Sequence, residues 1–288
     1  MDRVVALLAD ISRGSSARLI AAGEVTLDDV VVTSGSRRVA EGEQVSFVVA
    51  DDDERRPLAE PSADLDIRHE DAHVVVVHKP AGLVVHPGSG NLSGTLVNAP
   101  LDRYPEIAQV GEPHRPGIVH RLDRGTSGCC GGLTDQAYSA LVEQMARHEP
   151  ERVYTALVWG HLESDAGTID APIGRSTRHP TRMTVAADGR RAVTHYRVDA
   201  RFDSPRPTTK VTCRLETGRT HQIRVHLRAI GHPVVGDRDY DGGRPGLDPG
   251  RPFLHAGSLR FRHPVTGAPI EVDAPLPDDL AECLSACR

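Results

Sequence analysis

The chain has 288 residues, 39% of them hydrophobic, and a net charge of −6, enough for one large domain or for a small domain joined to a larger one. The acidic balance excludes a general nucleic-acid coat, although a local basic groove can still neutralise phosphates. No apolar run approaches the ~18 residues of a membrane span, and Met1-Asp2-Arg3-Val4-Val5 lacks the basic, apolar and small-residue layout of a signal peptide. A cytoplasmic protein with no membrane partner is therefore expected. The cysteines, at 129, 130, 213, 283 and 287, are odd in number and contain no Cys-x-x-Cys pair. They suit reduced thiols rather than a disulfide framework or a zinc knuckle.

Residues 1–50 read as a small unit. Val4, Leu7, Leu8 and Ile11 recur at helical spacing. Ser15 or Ser16 is placed to cap a second helix over residues 17–22, with Gly23 as its stop. Short β-type runs follow at Val25 and Leu27, at Val30-Val31-Val32, and at Val45, Phe47 and Val49. Asp28-Asp29 stands where a tight hairpin favours Asn-Gly or Asp-Gly. Residues 51–64, charged and punctuated by Pro57 and Pro61, carry no apolar period and suit a linker.

Residues 65–288 mix hairpin signals with separated helices, which indicates α+β architecture rather than βαβ winding. Leu65, Ile67 and the strand Val74-Val75-Val76-Val77 lead into Lys79-Pro80-Ala81-Gly82-Leu83-Val84-Val85-His86-Pro87. A helix expected from Gly94 meets Pro100, which costs about 3 kcal/mol in a helix interior, so it should restart at Leu101 or end early. The string His120-Arg121-Leu122-Asp123-Arg124-Gly125-Thr126-Ser127-Gly128 sets one carboxylate between two arginines, and nearby positive charges favour a carboxylate anion. Cys129-Cys130-Gly131-Gly132 follows, a strand expected to be weak because glycine packs nothing and loses the most entropy. Thr134 is placed to cap a helix with Ala137, Leu141 and Met145 on its apolar face, and residues 152–160 alternate as a strand around Tyr154. Asp188-Gly189 between residues 183–185 and 192–198 predicts a hairpin. Val211, Cys213 and Leu215 then alternate into a helix from His221. There Ile223, Leu227 and Ile230 share one face, His221, Arg224 and Arg228 share a polar one, and Gly231 stops it.

The nine residues around Asp123 resemble the catalytic motif of the RluA/RluD-type pseudouridine synthases. The stretches 79–87, 152–160, 168–175 and 216–228 extend the likeness. Residues 1–50 resemble the RNA-binding domain of ribosomal protein S4, which implies that Arg13, Arg18, Arg37 and Arg38 touch RNA phosphates. The resemblance implies a small S4-like domain followed by a catalytic domain with a mixed, mainly antiparallel central sheet and flanking helices. It implies that Asp123 is the essential residue, that Arg224 grips it in a bidentate fork, and that Tyr154 stacks on the base and takes up its carbon-bound proton. Arg121 would fill the stack vacated by the flipped uridine, Ile223 would pack near the uracil, and His86 would order the loop beneath it. His120, Leu122, Thr126, Ser127, Arg219 and His221 belong to the same substrate-side motifs. No cofactor or metal is implied. The implied partner is RNA, large-subunit ribosomal RNA before tRNA, bound by a monomer.

Other chemistries find less support. A glycosidase needs a second carboxylate at defined separation from Asp123, and nothing marks one. A metal hydrolase needs a histidine pair on a helix beside a Glu, and none is read. The rival from another class is an RNA-binding protein on the same fold that no longer turns over.

Overall fold

The computed structural model describes residues 1–9, 13–47, 57–61, 65–87 and 93–288, and of residues 13–15, 18, 129–133 and 135 only the backbone. The chain divides into two compact units, Met1–Arg55 and Arg56–Arg288.

In the first unit α1 (Asp2–Leu8) and α2 (Arg13–Ala21) precede β1 (Val25–Leu27), β2 (Val30–Val31) and β3 (Val45–Phe47), an antiparallel sheet of order β2-β1-β3. Val5, Leu19, Ile20, Val25 and Leu27 form its core. The apolar period of α1 differs from expectation. Met1 and Val5, four residues apart, face inward, while Leu7 and Leu8 are 82% and 61% exposed. Ile11 and Val49 lie outside the described residues. Helix α2 begins earlier than expected, so Ser16 sits inside it rather than at its cap and donates its hydroxyl to the Asp2 carbonyl at 2.7 Å. Gly23, at φ +76°, ends α2 as the sequence predicts. Asp28 and Asp29 adopt φ of +48° and +63°, the double left-handed conformation of a two-residue hairpin. The Asp28 carboxylate accepts the Gln44 amide at 2.8 Å and so ties this turn to the residue preceding β3.

The second unit runs β4 (Ile67–Glu70), β5 (Val74–Lys79), α3 (Asn98–Arg103), β6 (Ser127–Leu133), α4 (Asp135–Ala146), β7 (Glu151–Trp159), β8 (Ala166–Asp170), β9 (Ile173–Arg175), β10 (Met183–Val185), β11 (Val193–Phe202), β12 (Thr208–Leu215), α5 (Gln222–Ala229), β13 (Leu254–Arg262), β14 (Pro269–Asp273) and α6 (Asp278–Ser285). The central sheet has the order β4-β5-β6-β13-β7-β12-β11-β8, with β14 also on β13. Its pairings are antiparallel except between β6 and β13. This is the mixed, mainly antiparallel α+β sheet the sequence predicts. The four valines of β5 show why it is central. Val75 and Val77 join the large core with residues of α3, α5 and α6, while Val74 and Val76 join a second core with Ala137 and Leu141 of α4. Among the described residues no helix is long and apolar enough to cross a membrane.

Several expectations are corrected. Residues 57–61, expected in the linker, are tied to the second unit: Asn98 donates to the Leu58 carbonyl at 2.6 Å, and Glu60 N–H donates to the Asn98 carbonyl. Pro100 does not break a helix, because α3 starts at Asn98 and the proline falls in the first turn, where backbone N–H groups lack intrahelical partners anyway. Thr134 occupies the N-cap of α4, but its hydroxyl donates to the His73 carbonyl instead of capping. Asp188-Gly189 makes a turn but no hairpin between its flanking runs. Strand β10 pairs with β9, and β11 pairs with β8 and β12. Ile230 is 38% exposed at the end of α5.

Strand β6 forms despite its glycines, because backbone pairing needs no side chain. It runs along β5 from Val74↔Leu133 to Lys79↔Gly128. Gly128 is a requirement rather than a weakness: its φ is +128°, and a Cβ would fall on the Ala256 carbonyl of β13. Gly128→Ala should therefore cost about 3 kcal/mol or more in denaturant unfolding. Gly257→Ala, where a Cβ meets only ordinary contacts from 3.6 Å, should change stability by under about 1 kcal/mol.

Candidate active site

Sheet register brings the catalytic candidates together. Gly128 at the start of β6 pairs with Ala256 of β13, and Ala256 pairs with Tyr154 of β7. The loop carrying Asp123 thus ends two strands, about 10 Å, from Tyr154. Cys213 of β12 flanks Tyr154 on its other side, and the chain leaving β12 turns into α5, which carries Arg224.

The Asp123 loop is clamped from behind. Lys79, fully buried, donates its ammonium to the carbonyls of Pro80 (2.9 Å), Leu83 (2.8 Å) and Arg124 (3.3 Å). Gly82 N–H donates to the Arg124 carbonyl at 2.8 Å, and Arg124 Nε returns a bond to the Gly82 carbonyl at 3.0 Å. Arg251 holds the Gly125 carbonyl at 3.1 Å, and Thr126 N–H closes the turn on the Asp123 carbonyl at 3.0 Å. Hydrogen bonds from charged donors are the stronger kind, so the loop is fixed by its backbone while the Asp123 side chain stays partly exposed.

Arg224 is the electrostatic hub. Its Nη1 lies 3.6 Å from Asp123 Oδ2, an ion pair but not a fork. The expected bidentate fork goes elsewhere: Nε and Nη2 donate to Asp237 Oδ2 (2.6 Å) and Oδ1 (2.7 Å), and Nη2 also reaches Asp239 Oδ2 at 3.0 Å. The reason is burial. Arg224 is 6% exposed and Asp237 fully buried, so the guanidinium needs a buried counter-ion before substrate arrives. Burial works against its charge, but the hydrogen bonds and charges of Asp237, Asp123 and Asp239 outweigh that and hold it protonated. Tyr240 stacks on it at 4.8 Å. The Tyr240 oxygen accepts the Met183 amide and lies 2.7 Å from His221 Nδ1. His221 itself caps α5 in a left-handed conformation, φ +57°. Buried Gln222 holds the approach to α5, accepting from the Thr217 hydroxyl and the Arg219 amide and donating to Val193 and Thr194.

These groups open on a cleft of about 530 Å³, the size of a small-molecule site. Asp123, Tyr154, Leu122, Thr126 and Ile223 line it, and so do Arg121, Arg219, His86, His120 and His221. Arg115, Arg152 and His148 complete its basic wall, and Asp123 is the one carboxylate on it among the described residues. Ser127 is not on the cleft. It is 1% exposed and hydrogen-bonds to His255 Nδ1 at 2.9 Å, because the first side chain of β6 points to β13 rather than to the loop's open side. Arg224 does not line the cleft either, but stands behind Asp123. In the first unit Arg37 bonds to Glu43 and to the Arg38 carbonyl. Arg38 is exposed, and the side chains of Arg13 and Arg18 lie outside the described residues.

Sequence reading missed Asp237, Asp239 and Tyr240 as the cage of Arg224. Asp237 follows Arg224 by 13 residues, across the end of α5, and nothing in that separation marks the pair. It also passed over His69-Glu70-Asp71-Ala72-His73, whose spacing is that of a helical zinc motif. The structure places it at the β4–β5 turn, where Asp71 accepts from the His73 and Val74 amides. No group of His, Cys, Asp and Glu among the described residues is arranged to hold a metal.

Comparison with known proteins gives the family. The family model described as RNA pseudouridylate synthase matches residues 73–229, which include Asp123, Tyr154 and Arg224. The chain belongs to this family. It is 46% identical over 267 residues to the "Uncharacterized RNA pseudouridine synthase YlyB" of Bacillus subtilis, covering 91% of this chain and 86% of that protein. It is 45% identical over 303 residues to the ribosomal large subunit pseudouridine synthase D of Xanthomonas campestris, covering 100% and 88%. Among solved structures, Human RNA Pseudouridylate Synthase Domain Containing 1 superposes with a TM-score of 0.57 at 28% identity, over 75% of this chain and 86% of that one.

Two predictions follow from the charge arrangement. Asp237→Ala strands the buried Arg224 charge and should cost about 3–5 kcal/mol in denaturant unfolding. Asp239→Ala, at a carboxylate 56% exposed, should cost under about 1 kcal/mol. The second concerns pH. His86 is pushed down to about 4 by burial and then by Arg121, Arg115 and His114. His120 is pushed down to about 4 by burial and then by Arg152. Both stay neutral when folded while the unfolded chain takes up protons near 6.5. Their contribution is thus intact above pH 6.5 and lost as pH falls toward 4. Proton uptake on unfolding at pH 5 should drop by about one in His86→Gln.

Proposed function

We propose that this protein isomerises uridines of large-subunit ribosomal RNA to pseudouridine, acting as a monomer in the cytoplasm. The observation that carries the reading is the meeting of Asp123 and the Tyr154 ring on one cleft with an otherwise basic wall, with the Arg224 charge 3.6 Å behind Asp123. Membership of the RNA pseudouridylate synthase family and full-length similarity to ribosomal large-subunit synthases support it.

The reaction breaks the bond between ribose and the uracil nitrogen, turns the base, rejoins it through carbon 5 and releases the proton from that carbon. It requires a carboxylate at the sugar-base junction, a fixed cation to hold that carboxylate, and a surface on which the freed base can turn. Asp123 supplies the first. Arg224, anchored by Asp237, holds a positive charge 3.6 Å from it. Tyr154 offers the ring and a phenol as proton acceptor, and Ile223 an apolar wall. A uridine in a duplex must leave its stack at a cost of a few kcal/mol, and on this reading Arg121, exposed on the cleft, fills the gap. On this reading the first unit is an S4-like RNA-binding domain whose Arg13, Arg18, Arg37 and Arg38 neutralise phosphates.

Release of tritium from carbon 5 of labelled uridine in transcribed large-subunit ribosomal RNA tests the activity. Asp123→Asn should abolish release while leaving the RNA Kd and the unfolding midpoint within about twofold and about 1 kcal/mol of wild type. Substantial residual release would reject Asp123 as the catalytic group, and release from tRNA transcripts alone would move the substrate. The double variant Arg37→Gln, Arg38→Gln should weaken RNA binding and lower the slope of log K against log salt by about two. An unchanged slope would count against an RNA contact by these two arginines.

A further inference from the structure

One buried charge in the cleft has no role in the scheme above. Arg152 is only 8% exposed. It sits two residues before Tyr154 on β7, where burial alternates, so both side chains stand on the same face. Among the described residues its guanidinium makes one hydrogen bond, from Nη2 to the Glu216 carbonyl at 3.2 Å, and its buried Nε has no hydrogen-bond partner.

The nearest carboxylates in sequence are engaged elsewhere. Glu151 faces Arg214 and Arg260, and the Glu216 carboxylate accepts from Arg191 and lies 2.9 Å from His195 Nε2. The contrast with Arg224 is sharp, since that guanidinium has Asp237, Asp239 and Asp123 around it. Burial pushes the Arg152 charge down, and only the neighbouring Tyr154 phenol works the other way.

The surroundings make room for this group. Gly218 has no positive φ, so its backbone does not demand glycine, yet a Cβ there would come within 2.7 Å of Arg152 Nη1. The guanidinium also borders the cleft beside Tyr154, Gly218 and His148. A buried formal charge without a counter-ion is costly, and a planar fork is matched by an anion of two oxygens. The only formal negative charges that RNA carries are its phosphates.

We propose that Arg152 is a binding residue for a backbone phosphate of the RNA, that of the target nucleotide or of its immediate neighbour. Docking of the strand supplies the counter-ion that Arg152 lacks among the described residues. The inference rests on the reading of the protein as an RNA pseudouridine synthase and adds to it the group that seats the substrate backbone beside Tyr154.

The test compares wild type with Arg152→Gln and Arg152→Lys on transcribed large-subunit ribosomal RNA, measuring Kd across a salt series, tritium release and the unfolding midpoint. Arg152→Gln should raise Kd about tenfold and lower the slope of log K against log salt by about one. Its unfolding midpoint should be equal to or above that of wild type, because an uncompensated charge is removed. Arg152→Lys should keep the salt slope while losing part of the affinity, since it retains the charge but not the fork. Unchanged affinity and slope in Arg152→Gln would overturn the proposal. A lower midpoint with an unaltered slope would make the residue structural, and a fall in kcat with unaltered Kd would place it on the reacting base. Active wild type with a matching variant removes only this inference. Wild type that neither binds nor turns over ribosomal or tRNA transcripts removes the RNA reading and this inference with it.

Discussion

A guanidinium shared among three carboxylates is the constraint on which the site depends. Arg224 is buried at 6% exposure, and an arginine there without counter-ions would oppose folding. Asp237 takes both ends of the fork, Asp239 a third contact, and Asp123 the remaining face at 3.6 Å. The division of labour matters chemically. Because Asp237 supplies the buried counter-ion, Asp123 can remain partly exposed on the cleft and still sit in a positive field. A bidentate Asp123–Arg224 pair would occupy the oxygens that the substrate has to meet.

The backbone of the Asp123 loop is held by a separate device. Lys79 spends its ammonium on carbonyl oxygens from both sides of the loop, and Gly82 and Arg124 exchange reciprocal bonds. Holding the loop by its carbonyls leaves the side chains at 121 and 123 free to face the cleft. The same logic explains β6. Its pairing to the valine-rich β5 is made by backbone groups, and the close approach of β13 at Ala256 needs a glycine at 128. The run of glycines that looks like a loss of packing is compatible with tight backbone contact.

Charge is distributed by location rather than by total. A chain of net charge −6 lines its cleft with Arg115, Arg121, Arg152 and Arg219 against Asp123. Elsewhere carboxylates stand in surface pairs such as Arg228–Asp241 and Arg260–Glu271. Local potential rather than net charge governs contact with a polyanion. A site that must release its product also gains from a protein that does not hold RNA over its whole surface.

Much of this was legible in the sequence. The α+β class followed from hairpin signals set among separated helices, the stop at Gly23 from left-handed backbone preference, and the strands around Tyr154 and Cys213 from period-two alternation. The residues around Asp123, with Tyr154 and Arg224, stood out as candidates through the resemblance of the motifs that carry them to a known family; the spacing of Tyr154 alone reads as a core strand residue. Local chemistry is written locally: a turn residue, a capping glycine or an alternating strand acts on its neighbours within a few positions. What the tertiary structure alone decided are the relations between distant segments. These include the pairing of β10 with β9 instead of β11, the turn of Ser127 toward His255, the capture of Arg224 by Asp237, and the burial of Arg152 beside Gly218. Each depends on which strand lies next to which and on how much water is excluded there, and neither quantity is a property of any one stretch of chain.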